Sequence, residues 1–228
     1  VDHMRSGEID EIVAFATRGQ ELFARIATSP KKVVCKLDGL ALGGGAELAL
    51  ACHVIVASPR ASFGFPETGI GIYPGLGGTQ RLMARLGSGL ARLMLYSGEV
   101  LQASELAKWQ IAWRVVPVDE MDAVVAMALQ EAPTRAKVDI DTLDADRQTM
   151  AAFIQSEDIT RILARELDIP ESEQIAKWLK RIGHKAPNAI EKVQELTDKS
   201  TYTGNLDEGL KAETDGLHAI FSPPNALE

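Results

Sequence analysis

Apolar positions first recur with a helical period. Ile9, Ile12, Val13, Phe15, Leu22, Phe23 and Ile26 predict a helix over residues 8–26, which Ser29-Pro30 ends because the residue before proline avoids helical dihedrals. The pattern then changes. Val33-Val34-Cys35-Lys36-Leu37 is a short apolar run closed by Asp38-Gly39, which reads as a buried strand and a turn. Gly43-Gly44-Gly45 opens a short helix over 46–52, Val54-Ile55-Val56-Ala57 predicts a second strand, and residues 62–65 a brief third. A loop rich in glycine and proline covers 69–78, followed by a helix over 79–86 that Gly87 stops. Helical patterns return at 90–96, 103–109 and 119–131, with Val115-Val116 as a short strand between the last two.

After a mixed polar stretch at 133–144 only helical periods remain. Residues 146–167 form one amphipathic pattern. Asp168 can cap a helix with Pro170 in its first turn and Gly183 at its end. Residues 187–196 and 206–221 give two more helices, the last ended by Pro223-Pro224. The expected class is therefore α/β, with a mixed core at 1–132 and an all-helical region at 133–228.

Composition narrows the picture. A chain of 228 residues, 46% hydrophobic and 25% charged, fits one large globular domain or a domain with a helical extension. No apolar run is long enough to cross a bilayer, and the polar first residues do not form a secretory signal. Cys35 and Cys52 sit in apolar surroundings and read as buried hydrophobes in a reducing, cytoplasmic setting. The net charge of −8 disfavours nucleic-acid backbones, although a local Arg/Lys cluster could still take a phosphorylated ligand. The chain starts at Val1 rather than Met, which leaves open a fragment, a processed product or part of something longer.

The chemistry-bearing candidates lie between residues 43 and 85. Consecutive glycines cost backbone entropy, and taken alone favour a tight turn. Ahead of a helix, however, their N–H groups can face a developing oxyanion, at roughly 3 kcal/mol of barrier per donor. Glu47 follows amid Leu42, Ala46, Leu48, Ala49, Leu50 and Cys52, where a carboxylate is rarely buried without reason. Glu67, after Pro66, is a solvated loop carboxylate by default. It becomes interesting as the partner of Glu47, because neighbouring buried carboxylates divide into acid and base. Arg81 and Arg85 read first as a solvated helix face, though either could meet phosphate or an acid. Tyr73 either lines a pocket or packs; Trp109 and Trp113 read as core or interface. His3, His184 and His218 are isolated. No His/Glu spacing suggests a metal site, and no Gly-x-Gly-x-x-Gly follows a strand.

The order Gly43-Gly44-Gly45-Ala46-Glu47, then Pro66-Glu67, then Pro74-Gly75-Leu76-Gly77-Gly78-Thr79-Gln80-Arg81 resembles the crotonase family, the enoyl-CoA hydratases and isomerases, with the likeness running over about residues 33–118. The resemblance implies a spiral of strand–strand–helix turns, present here in part, and a helical C-terminal region that packs in a homotrimer or a dimer of trimers. It implies an acyl-CoA substrate, with no cofactor beyond the coenzyme A that the substrate carries. By position, Gly44 resembles an oxyanion-hole donor, and Glu47 and Glu67 the catalytic pair. Gly43, Gly45, Tyr73, Pro74 and Gly75 fall among the substrate-binding positions. Both glutamates together imply a hydratase, a carbon–oxygen lyase of fatty-acid β-oxidation. An enoyl-CoA isomerase and a non-catalytic acyl-CoA-binding subunit are the alternatives. The family's N-terminal portion, with the loop carrying the second oxyanion donor, is expected to precede Val1. His53 stands where the family usually has Asp, and Gln110 where it has Gly. The long acidic region at 133–182 suggests a hydratase fused to, or partnered by, a hydroxyacyl-CoA dehydrogenase.

Overall fold

The computed structural model describes residues 9–132, 138–156, 159–164, 172–198 and 206–221. Helix α1 (Ile9–Ala27) buries Ile12, Ala16, Gln20 and Phe23, about one residue per turn; of the predicted apolar positions Ile12 and Phe23 face the rest of the chain, while Phe15 and Leu22 are exposed. Strand β1 (Val34–Leu37) follows, and after the Asp38-Gly39 turn comes β2 (Leu40–Leu42). Helix α2 (Gly44–Ala51) then returns the chain to β3 (Val54–Ala57) and β4 (Ser62–Gly64). β3 lies parallel to β1 with Val34 opposite Val54, and β4 parallel to β2 with Leu40 opposite Ser62. The strand–strand unit thus repeats with a helix between, which is the spiral.

Two small sheets result. One has the order β1-β3-β6 and is parallel throughout, with β6 (Arg114–Val115) beside β3; the other is β2-β4-β5, with β5 (Val100–Gln102) antiparallel to β4. All of β3 is buried because both faces are covered. Val54 and Val56 meet Met121, Val124 and Ala128 of α6 (Met121–Glu131), while Ile55 and Ala57, on the other side of the pleat, join the main core.

That main core runs through α3 (Gly78–Leu86), α4 (Ser88–Ser97), α5 (Ala103–Lys108), α7 (Ala145–Ser156), α8 (Ile159–Ala164), α9 (Glu173–Ile182), α10 (Pro187–Asp198) and α11 (Leu206–Phe221). Helix α4 is its axis, with Leu90, Leu93, Met94, Leu95 and Tyr96 fully buried. It approaches α7 so closely that a Cβ on Gly89 would lie 2.1 Å from the Ala151 carbonyl oxygen. Residues from both sides of the predicted 132/133 division share this core. On α7, Arg147 is held 5.2 Å from the ring centres of both Trp109 and Trp178 and pairs with Glu99 and Glu105.

Several expectations need correction. β2 and β5 are strands that sequence patterning missed, each only three residues long. The short helix begins at Gly44 rather than Ala46, so the glycines enter the helix itself. The brief strand after Trp113 is Arg114–Val115. Within 146–167 the described residues are helical, α7 to Ser156 and α8 from Ile159, as the amphipathic pattern predicts; 157–158 and 165–167 lie outside the described residues. Asp168, Pro170 and His3 lie outside the described residues. Helix α9 is capped instead by Ser172, whose hydroxyl accepts from the Ile175 N–H at 3.0 Å.

Candidate active site

The Gly-rich segment is where β2 hands over to α2. Gly43 sits at φ 54°, ψ −124°, in the left-handed half of dihedral space, and a Cβ there would lie 2.9 Å from Glu67 Oε1. Both constraints require glycine. Gly44 is the first residue of α2, so its N–H has no carbonyl four residues back within the helix to donate to. Gly44 and Gly45 are exposed, which leaves the positive end of the helix open to a ligand.

One turn further, Glu47 points inward and is only 2% exposed. Its Oε1 accepts from the backbone N–H groups of Leu76 and Gly78, each at 2.7 Å. Gly78 must be glycine here, since a Cβ would lie 2.7 Å from that oxygen. With Oε1 taken, Oε2 is the atom available for other chemistry. Burial raises the Glu47 pKa to about 7, against the pull of the two N–H groups and the Arg81 charge.

Glu67 opens a 3₁₀ turn, Glu67–Ile70, just after β4 and Pro66. Thr68 pins that turn: its hydroxyl donates to the Leu95 carbonyl at 3.0 Å and its carbonyl accepts from the Ala186 N–H at 3.2 Å. Glu67 is 8% exposed, and its Oε2 is buried with no hydrogen-bond partner among the described residues. Burial, then the charge on Glu47, push its pKa to about 8. Charge on Glu47 thus opposes ionisation of Glu67, which favours a singly protonated pair. One carboxylate and one carboxylic acid share the glycine cradle, which is the division of labour needed for acid–base work.

The profile of the enoyl-CoA hydratase/isomerase family matches residues 3–166. The chain belongs to that family. It is similar to a crotonyl-CoA hydratase of Syntrophomonas wolfei subsp. wolfei, 42% identical over 107 residues, 47% of this chain and 41% of the relative. It is also similar to a 2,3-dehydroadipyl-CoA hydratase of Escherichia coli (strain K12), 41% identical over 130 residues, 57% of this chain and 50% of the relative. The matched segment spans half or less of each of these curated relatives. In fold the chain resembles a carnitinyl-CoA dehydratase from Mycobacterium thermoresistibile, with a TM-score of 0.80 and 21% identity over 99% of this chain and 68% of that one. An enoyl-CoA hydratase from Rhodobacter sphaeroides 2.4.1 gives a TM-score of 0.76 at 21% identity, over 95% of this chain and 64% of that one.

Within the enoyl-CoA hydratase/isomerase fold, Gly43 lies against Glu67, the charge on Glu47 acts on Glu67, and Gly44 opens the helix that carries Glu47. Pro74 and Gly75 lie on the same loop as the Glu47 donors, and the Gly75 carbonyl accepts from Gln20 Nε2 at 2.9 Å. Tyr73 is different. Its ring is buried and its hydroxyl donates to the Glu213 carbonyl at 2.6 Å, so of its two readings the geometry favours packing. Arg81 and Arg85 are buried, not a solvated face; Arg81 Nη1 donates to the Leu76 carbonyl at 2.8 Å. His53 accepts from the Val33 N–H through Nδ1 at 3.0 Å, a structural tie at the start of β1. Gln110 adopts φ 52°, the left-handed conformation that a glycine takes at lower cost. No cluster of three or more His, Cys, Asp or Glu that could hold a metal occurs among the described residues, and no helix among them is long and apolar enough to cross a membrane.

Sequence reading missed Glu213. It is 0% exposed on α11, with Oε2 accepting from the Gly77 N–H at 2.6 Å and Oε1 from the Thr79 N–H at 3.1 Å and the Thr79 hydroxyl at 2.5 Å. A signal was present. Leu210, Glu213, Leu217 and Ile220 fall on one helical stripe, and the only acid on that stripe must be buried with its neighbours.

Proposed function

We propose that the chain carries the acid–base pair and one oxyanion donor of an enoyl-CoA hydratase, adding water reversibly across the 2,3 double bond of a 2-enoyl-CoA thioester. The observation that carries this reading is the coupled pair of buried carboxylates, Glu47 and Glu67, beside the exposed N-terminus of α2. The names of the curated relatives support the same class. A water between the carboxylates gives a proton to Glu47 as its oxygen bonds to C3. The π electrons move toward the thioester, and negative charge builds on the carbonyl oxygen, where the Gly44 N–H stabilises it. Glu67 then protonates C2, and the reverse reaction runs the same protons backwards. The wider reading keeps a homotrimer or dimer of trimers, a hydroxyacyl-CoA dehydrogenase as fused or separate partner, a role in β-oxidation and a cytoplasmic location.

The test is loss of the enoyl thioester absorbance on adding crotonyl-CoA. Turnover by the protein, abolished in both Glu47→Gln and Glu67→Gln, supports hydration. Conversion of a 3-enoyl to a 2-enoyl thioester without hydration assigns an isomerase. Tight CoA binding with no turnover at any concentration assigns a binding subunit. Either of the last two overturns the proposal.

A further inference from the structure

We infer that Glu213 is a positioning residue for Glu47, acting through the backbone of the 75–79 loop; this rests on the hydratase reading above. The two carboxylates grip the same stretch of main chain in alternation. Glu47 takes the N–H groups of Leu76 and Gly78, and Glu213 takes those of Gly77 and Thr79. Four consecutive backbone donors are thus held by two buried acids, one on α2 and one on α11. The loop cannot move toward either acid without losing the other.

The hold is reinforced from outside. Gln20 on α1 donates through Nε2 to Glu213 Oε2 at 3.3 Å, to the Gly75 carbonyl at 2.9 Å and to the Leu210 carbonyl at 3.1 Å. Its Oε1 accepts from the Thr214 hydroxyl at 2.9 Å, which locks the amide orientation. The turn itself has no slack. Gly77 sits at φ 97°, and a Cβ on it would lie 2.0 Å from Arg81 Nη1 and 2.8 Å from Leu210 Cδ2. Both oxygens of Glu213 face obligate backbone donors, so an amide of the same shape cannot satisfy them. Whichever oxygen becomes NH₂ meets an N–H head-on. Glu213 is itself fully buried. Through the loop it fixes where Glu47 Oε1 is held, and hence where Oε2 points, beside the direct repulsion between the two acids.

The experiment compares the protein with Glu213→Gln, Thr79→Val and Thr79→Ser. Amide hydrogen exchange at Leu76 and Gly78 is measured alongside exchange at Ile55 in the core, and steady-state hydration of crotonyl-CoA is followed in parallel. In Glu213→Gln, exchange at Leu76 and Gly78 is expected to accelerate at least tenfold more than at Ile55, and kcat to fall at least tenfold with KM changed less than threefold. Thr79→Val should give a weaker change of the same kind, and Thr79→Ser should restore wild-type behaviour; this pair decides the matter if Glu213→Gln does not fold. Exchange at Leu76 and Gly78 that rises only in step with Ile55, or a rate loss that merely follows the folded fraction, overturns the inference. If the wild-type protein hydrates nothing, the hydratase reading fails by itself, and the exchange measurements still decide whether Glu213 holds the loop.

Discussion

Glu67→Gln isolates what it costs to keep an acid in this site. In the native state burial and the Glu47 charge raise the Glu67 pKa from 4.5 to about 8. The native protein therefore holds a proton that the unfolded chain releases once pH passes 4.5. The Glu67 contribution to stability falls as pH rises through 4.5 to 8 and levels off above, because at this group the native state binds more protons over that window. At about 1.4 kcal/mol per pKa unit the full difference is roughly 5 kcal/mol, an upper figure because Glu47 relaxes when its neighbour changes. Glutamine has the shape of the protonated acid and no proton to lose, so the variant lacks the Glu67 share of that slope. Urea unfolding followed by fluorescence of the buried Trp109 and Trp178 at pH 5, 7 and 9 is the assay. The variant should match wild type near pH 5 and exceed it by several kcal/mol at pH 9. Hydration should meanwhile drop by about 10²–10⁴, the usual worth of a general acid. A stability margin that is constant with pH, or that shrinks as pH rises, refutes the claim that Glu67 is buried as an acid.

Other substitutions probe the scaffold. Gly43→Ala forces a side chain into left-handed dihedrals and against Glu67 Oε1; it should cost roughly 1–2 kcal/mol by chemical denaturation and depress hydration beyond any change in folded fraction. Tyr73→Phe removes the bond to the Glu213 carbonyl and should cost roughly 1 kcal/mol with KM for crotonyl-CoA unchanged; a large KM effect would return Tyr73 to the substrate-binding set. Arg147→Met keeps apolar bulk between the two tryptophans but strands the buried Glu99, so the denaturation midpoint should fall by an amount equivalent to roughly 3 kcal/mol at neutral pH.

What could be read from the sequence was what the chain settles locally. Val54-Ile55-Val56-Ala57 announces a strand because every residue is apolar, and both faces of β3 are covered. β2 gave no such signal. Leu40 is 76% exposed and the strand is followed at once by glycines, so no alternation marks it; its strand character comes from pairing with β4. Glu47 stood out because an acid inside an apolar helix needs a reason, and the structure supplies two backbone donors. The burial of Arg81 and Arg85 was not legible, since an (i, i+4) pair of arginines looks the same whether α11 lies over it or water does.

Glu213 shows where local reasoning ends. The same test that picked out Glu47, a carboxylate on an apolar stripe, applies to it, but its meaning depends on a loop more than 130 positions away in sequence. The glycine motif is thus only the visible half of the site. Its loop presents donors on both sides, and a loop so exposed to two acids holds one geometry only if both are in place. The site is therefore a property of α1, α2, the 75–79 loop and α11 together, and removal of α11 should loosen Glu47 even though no residue of the glycine cradle has changed.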